Sequence, residues 1–219
     1  MRTLQERTEL FENSDIYPVV SSEFCSGRSV PDIVFDIACS GAKIVQIREK
    51  NLSDSAVFEL VKRCKIITDK YKMLLIVDDR VDIAIAAGAD GVHLGQDDFP
   101  LCEAKRLAPE MLFGISTHNA DEIRKALADK CGYLNIGPLF PTGTKSVPCG
   151  ALGLELVETL KQQVTCPFSV MGGIKEHHLA KLVSGGFRHI AMVTEITQAA
   201  NVREKVERLR KIMQRGLLS

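Results

Sequence analysis

The sequence has no tryptophan and no apolar run approaching the roughly 20 residues a membrane-spanning helix needs. It also lacks an excess of either charge: Lys plus Arg and Asp plus Glu stand at 28 each in 219 residues. No global field therefore recruits nucleic acid or an acidic membrane, and any anion site must be built locally. Seven cysteines are present, but dispersed and with no CxxC pair, so neither a disulfide framework nor a zinc site is indicated. Neither dinucleotide GxGxxG nor phosphate-loop GxxxxGK[ST] spacing occurs. The first fifteen residues are polar and charged, without an apolar signal core. A cytoplasmic location is expected.

What is present is organised around Leu74 to Asp98, LLIVDDRVDIAIAAGADGVHLGQDD. Leu74 to Val77 reads as a strand buried on both faces, with Asp78 and Asp79 at its C-terminal end. A helix over 81–87 closes at Gly88. Residues 90–95 form the next strand and its exit, with Asp98 just beyond. Acids thus follow two consecutive strands. If those strands are parallel neighbours, the carboxylates meet at one sheet edge and can hold Mg²⁺, which takes oxygen ligands and bridges to phosphates. An acid after a strand can equally be a helix N-cap.

The same alternation runs along the chain. Strands are expected at 16–20, 43–47, 74–77, 90–95, 112–115, 133–136, 167–171 and 189–193. Helices are expected at 30–40, 53–70, 81–87, 101–107, 120–129, 152–163, 176–184 and 202–214. A further short helix at 4–13 precedes them, within an N-terminal extension of residues 1–15. Pro31 suits the start of the 30–40 helix, and Asn119 the cap of the 120–129 helix. Eight strand–helix units without a composition break predict a single (β/α)₈ barrel over residues 1–219, shorter than the ~250 residues usual for it. An open doubly wound sheet is the competing architecture.

In a barrel, the C-terminal strand ends share one mouth. Those ends carry Gln46, Arg48 and Lys50, alternating and able to point one way, then Asp78 and Asp79, then His93, Gln96 and Asp98. Ser116 and His118 follow, then Thr142, Thr144 and Lys145, Gly172 and Gly173, and Val193 and Thr194. Arg48, Lys50 and Lys145 form a cationic rim opposite Asp79 and Asp98, a set suited to a metal–diphosphate complex. The glycine pair exposes backbone N–H groups where barrels often seat a phosphate. Two phosphate sites imply two phosphorylated reactants. His93, between Val92 and Leu94, can be a core histidine or a site residue.

Six blocks in order carry a family resemblance: QIREK (Gln46 to Lys50), DDR (Asp78 to Arg80), GADGVHLGQDD (Gly88 to Asp98), GIST (Gly114 to Thr117), GPLFPTGTK (Gly137 to Lys145) and GGI (Gly172 to Ile174). With AMVTEITQAAN (Ala191 to Asn201) they resemble the thiamine-phosphate synthases. The resemblance implies a (β/α)₈ barrel that joins a hydroxymethylpyrimidine diphosphate to a thiazole phosphate, releasing diphosphate and using Mg²⁺. It implies that Gln46, Ile47, Arg48, Glu49 and Lys50 hold the pyrimidine diphosphate, with Asp78 and His93 nearby. Asp79 and Asp98 would ligate Mg²⁺, and Ser116 and Lys145 would touch the diphosphate. Thr142, Gly143, Thr144, Gly173, Val193 and Thr194 would receive the thiazole phosphate. Arg48, Lys50, Ser116 and Lys145 are the expected catalytic groups.

Three departures from the family pattern stand out. Asp78 replaces a usual Asn, Thr194 replaces a usual Ser, and Ser146 to Leu152 differs after the lysine. Asp78 is expected to be a third carboxylate assisting the metal, the alternative being that it repels the diphosphate and lowers substrate affinity. The competing readings are a thiazole tautomerase with His118 as proton shuttle, and a non-catalytic binder of thiamine precursors. The sequence is compatible with a homo-oligomer.

Overall fold

The computed structural model describes residues 2–143 and 150–216. Eight parallel strands, β1 to β8, close into a barrel in chain order: Ile16–Val20, Ile44–Ile47, Leu74–Asp78, Gly91–Leu94, Leu112–Thr117, Tyr133–Ile136, Phe168–Val170 and His189–Met192. Closure is made by β1 on β8, with Ile16 opposite Ile190 and Pro18 opposite Met192. Ten α-helices occur among the described residues: α1 (Leu4–Glu12), α2 (Val30–Cys39), α3 (Asp54–Lys70), α4 (Val81–Ala87), α5 (Leu101–Leu107), α6 (Ala120–Ala128), α7 (Leu154–Lys161), α8 (Leu179–Ser184), α9 (Thr194–Thr197) and α10 (Val202–Gly216). The expected barrel is therefore the observed one, and the open sheet is excluded by the β1–β8 pairing.

Burial on both faces explains the continuous apolar strands. On β2 and β3, Val45, Ile47, Leu75 and Val77 face the layer between barrel and helices, while Ile44, Leu74 and Ile76 face the barrel interior. Phe11 of α1 plugs the interior from below, stacking on Tyr133 with centroids 4.3 Å apart. The N-terminal extension is thus part of the core. Gly114 is required by close approach, because a Cβ there would fall 2.0 Å from Cζ of Tyr133.

Helix starts follow the capping rules. Ser29, Ser53 and Asn119 accept from the backbone N–H groups of Asp32, Ala56 and Glu122, and Gly88 ends α4 at φ 70°. Two differences from expectation concern the mouth. β5 runs on to Thr117, carrying Ser116 within the strand. A helix, α9, occupies Thr194–Thr197, where a loop was expected; four residues are too few to show helical periodicity.

Candidate active site

The expected acids meet. Asp78 ends β3 and Asp79 follows in the left-handed conformation, φ 60°, with its N–H donating to the His93 carbonyl at 2.9 Å. Asp is among the few side chains that tolerate this conformation, and it brings the Asp79 carboxyl into hydrogen-bond contact with that of Asp98. Asp98 is anchored in turn, its Oδ2 accepting from the Gly95 N–H at 2.6 Å. Burial, the negative charge of Asp78 and the Asp98 contact raise the Asp79 pKa to about 6, against a lowering by Lys50.

The cations sit beside these acids. Arg48 Nε lies 3.4 Å and Lys50 Nζ 3.1 Å from Asp78 Oδ2, and Lys50 also pairs with Asp79. Burial opposes the Lys50 ammonium, yet Asp78 and Asp79 outweigh it and raise its pKa above the ordinary lysine value. Arg80 instead pairs with Asp54 and Asp82 on the outer side. Two crowded carboxylates with a lysine standing in as counter-charge are a donor set that fits a hard divalent cation, which needs only one or two protein carboxylates when phosphates supply the rest.

Beneath the charges runs a buried hydrogen-bonded chain. Gln46 Nε2 donates to the Tyr17 hydroxyl at 2.9 Å, which lies 2.8 Å from that of Tyr133. The Tyr133 hydroxyl is 3.0 Å from His93 Nδ1, and His93 Nε2 is 2.8 Å from Ser116 Oγ. Gln46 thus points inward with Arg48 and Lys50, one layer deeper. His93, only 4 % exposed, holds Ser116 from below. Ile47 turns into the helix-facing core, and Glu49 accepts from the N–H and hydroxyl of Ser22 at 2.7 Å each. Neither residue is among those lining the cavity that opens beside the rim.

Beside the charged rim opens a cavity of about 420 Å³ between β5 and β1. Arg48, Ser116, Thr142, Gly143, Gly173, Val193 and Thr194 all line it. Of the charged rim, Arg48 reaches this space, together with Ser116 and the residues expected to receive the thiazole phosphate, whereas Lys50, Asp78, Asp79 and Asp98 are not among its lining residues. Gly173 has φ 61°, and a Cβ there would meet the Pro141 carbonyl oxygen at 2.4 Å, so its glycine is dictated by packing on the β6 exit. Thr144 and Lys145 lie outside the described residues, as do Ser146 to Cys149. No cysteine is among the residues lining the cavity.

Sequence reading missed several residues here. Asn135, 2 % exposed, lines the cavity; its Nδ2 faces Met171 Sδ at 3.2 Å, and its Oδ1 has no hydrogen-bond partner among the described residues. Lys175 and Glu195 line the far wall. For Tyr133 and Asn135 a signal existed: both alternate inward along YLNI. His118 also lines the cavity, with Nδ1 at 2.8 Å from Glu122 Oε2.

Comparison with known proteins points the same way. A thiamine-phosphate synthase of Caldicellulosiruptor saccharolyticus is 36% identical over 206 residues, 94% of this chain and 93% of that protein. One from Pelotomaculum thermopropionicum is 38% identical over 203 residues, covering 92% and 93%. The solved thiamine phosphate pyrophosphorylase of Pyrococcus furiosus superposes with a TM-score of 0.86 at 31% identity, covering 96% of this chain and 98% of its own. The family model for thiamine monophosphate synthase matches residues 16–196, so with acids, cations and cavity in one mouth, the chain belongs to the thiamine-phosphate synthase family.

Proposed function

We propose that this chain condenses a 4-amino-2-methyl-5-(diphosphooxymethyl)pyrimidine with a 4-methyl-5-(2-phosphooxyethyl)thiazole, forming thiamine phosphate and releasing diphosphate, with Mg²⁺. The observation that carries the reading is the meeting of Asp79 and Asp98 beside Arg48 and Lys50 at the edge of one cavity. Asp79 and Asp98 would hold the Mg²⁺, whose contribution is to offset negative charge on the diphosphate. Arg48 and Lys50 donate to phosphate oxygens of the same group as it leaves the pyrimidine methylene, and the catalytic set includes Lys145. These contacts strengthen as the leaving group gains charge, which is where binding energy accelerates a reaction.

Ser116 serves as a hydrogen-bond donor rather than a nucleophile. His93 fixes its oxygen from below at 2.8 Å, and departure of diphosphate leaves a cation that the electron-rich aminopyrimidine can stabilise. The thiazole nitrogen then captures the methylene carbon. Thr142, Thr144, Gly173, Val193 and Thr194 orient the nucleophile by its phosphate, so the walls contribute mainly positioning. Nothing in this chemistry requires a second copy of the chain. No helix among the described residues is long and apolar enough to cross a membrane, and we place the reaction in the cytoplasm.

A tautomerase reading would give His118 the central role, yet that route has no use for Asp79, Asp98 or Arg48. The test is product formation by the purified protein from the two phosphorylated substrates. Thiamine phosphate should appear with Mg²⁺ and vanish with a chelator. Isomerisation of a thiazole without condensation would replace this reading with the tautomerase, and binding without turnover would leave a non-catalytic binder.

A further inference from the structure

The far wall of the cavity, between the exits of β7 and β8, carries an ion-pair cluster to which the proposed reaction has given no role. Lys205 pairs with both Glu195 and Glu176, and Arg208 also holds Glu176, at 2.8 Å. Lys175 Nζ lies 3.4 Å from Glu195 Oε2 and 3.5 Å from Thr194 Oγ1. Three cations, Lys175, Lys205 and Arg208, thus face two carboxylates, Glu176 and Glu195. Glu195 is satisfied from behind by Lys205, and Glu176 by Lys205 and Arg208. The surplus positive charge falls on Lys175, the member of the three that lines the cavity.

Its backbone is fixed as well. The Lys175 N–H donates to His178 Nδ1 at 3.0 Å, and that ring stacks on Phe140 with centroids 4.0 Å apart. The side chain remains 44 % exposed and reaches the hydroxyl of Thr194. A phosphomonoester carries about −1.5 to −2 charges at neutral pH, and a wall holding Glu195 would repel it without a compensating cation.

We propose that Lys175 is a specificity-determining residue, whose ammonium leaves Glu195 and Thr194 to clamp the phosphate of the second reactant, so that the enzyme selects the phosphorylated thiazole over its alcohol. This rests on the function proposed above and adds to it the group that recognises phosphate as charge. The contact is a charge-assisted hydrogen bond in a partly closed cavity, of the kind whose loss weakens binding about tenfold or more.

The experiment compares wild type, Lys175→Met, Lys175→Gln and Lys175→Arg for thiazole phosphate and thiazole alcohol as nucleophiles. Lys175→Met and Lys175→Gln should raise KM for thiazole phosphate about tenfold or more, leave KM for the pyrimidine diphosphate near wild type, and barely change use of the alcohol. Lys175→Arg should restore most of the discrimination. Glu195→Gln should lower KM for thiazole phosphate, a result that a merely structural ion pair would not give. An unchanged KM in both neutral variants, or equal losses for phosphate and alcohol, would overturn the proposal. Calorimetric titration of thiazole phosphate into the same proteins covers the case in which wild type makes no product. Absent turnover then counts against the proposed function, whereas equal affinities of wild type and Lys175→Met count against Lys175.

Discussion

Asp79→Asn should stabilise the metal-free protein at neutral pH while destroying its activity. Burial first, then Asp78 and Asp98, raise the Asp79 pKa from 3.8 to about 6. Above pH 6 the folded protein therefore holds a carboxylate that the unfolded chain accommodates more easily. In the native state this group binds more protons than in the unfolded state between about pH 3.8 and 6, so its contribution lowers stability as pH rises through that window. A displacement of about two pH units corresponds to at most on the order of 3 kcal/mol at pH 7. Solvent access on one side brings the expected gain to roughly 1–3 kcal/mol. An amide cannot ionise, so the substitution removes the penalty, and Lys50 keeps Asp78 at 3.1 Å as its partner. Urea or thermal unfolding in excess chelator should show Tm higher by roughly 2–10 °C at pH 7, at a few degrees per kcal/mol for this size. The difference should shrink as pH falls through 6 and vanish near 3.8. Added Mg²⁺ should narrow the gap by stabilising wild type alone, by about 2.7 kcal/mol at a hundredfold excess over Kd. A variant less stable than wild type at pH 7, or a gain that does not change with pH, would refute the reasoning.

Three further expectations follow from the same geometry. Asp98→Asn should lose most turnover at limiting Mg²⁺ while unfolding at nearly the wild-type temperature; near-wild-type rates there would remove Asp98 from the metal site. Asp78→Asn should need more Mg²⁺ for half-maximal rate, if the carboxylate assists the metal as well as pairing with Arg48 and Lys50. An unchanged metal requirement with tighter pyrimidine diphosphate binding would show that Asp78 opposes the substrate instead. Gly114→Ala should destabilise by about 1–3 kcal/mol or more in urea, since its methyl group must displace the Tyr133 ring, 2.0 Å from the ideal Cβ position. A midpoint within error of wild type would show that the ring is free to move.

Much of the molecule was legible because its signals are local. β1, β6, α4 and α5 fall where apolar runs, periodicity and glycine stops put them, and the acids and cations could be gathered by reading strand ends alone. What escaped depends on long-range placement. The chain from Gln46 to Ser116 links residues 29, 116, 40 and 23 positions apart, so only closure of the barrel brings it together. His189, given no role from sequence, is buried with Nδ1 2.8 Å from the Ser14 carbonyl oxygen, tying β8 to the N-terminal extension. Lys175 carries no signal of its own in the sequence, one lysine between the Gly172–Ile174 block and the next helix. Its meaning lies in Glu195, Lys205 and Arg208, which α9 and α10 bring alongside.

The barrel interior is graded along its axis, and the gradient explains why function sits where it does. At the bottom, Phe11, Leu74 and Leu112 fill space without polar demands. One layer up, Gln46, Tyr17, Tyr133 and His93 are buried but satisfy one another, as buried polar groups must. At the top, Arg48, Lys50, Asp78 and Asp79 place paired opposite charges in a region that solvent reaches. Inward positions two residues apart on the strands step through these layers: Ile44, Gln46 and Arg48 from β2, and Leu74, Ile76 and Asp78 from β3. Each layer is held by the one beneath it, so the reactive groups rest on strands rather than on loops alone. Positioning within fractions of an ångström is what such chemistry requires. A change in the β6 exit can then alter which nucleophile is accepted while the acids and cations of β2 and β3 stay in place.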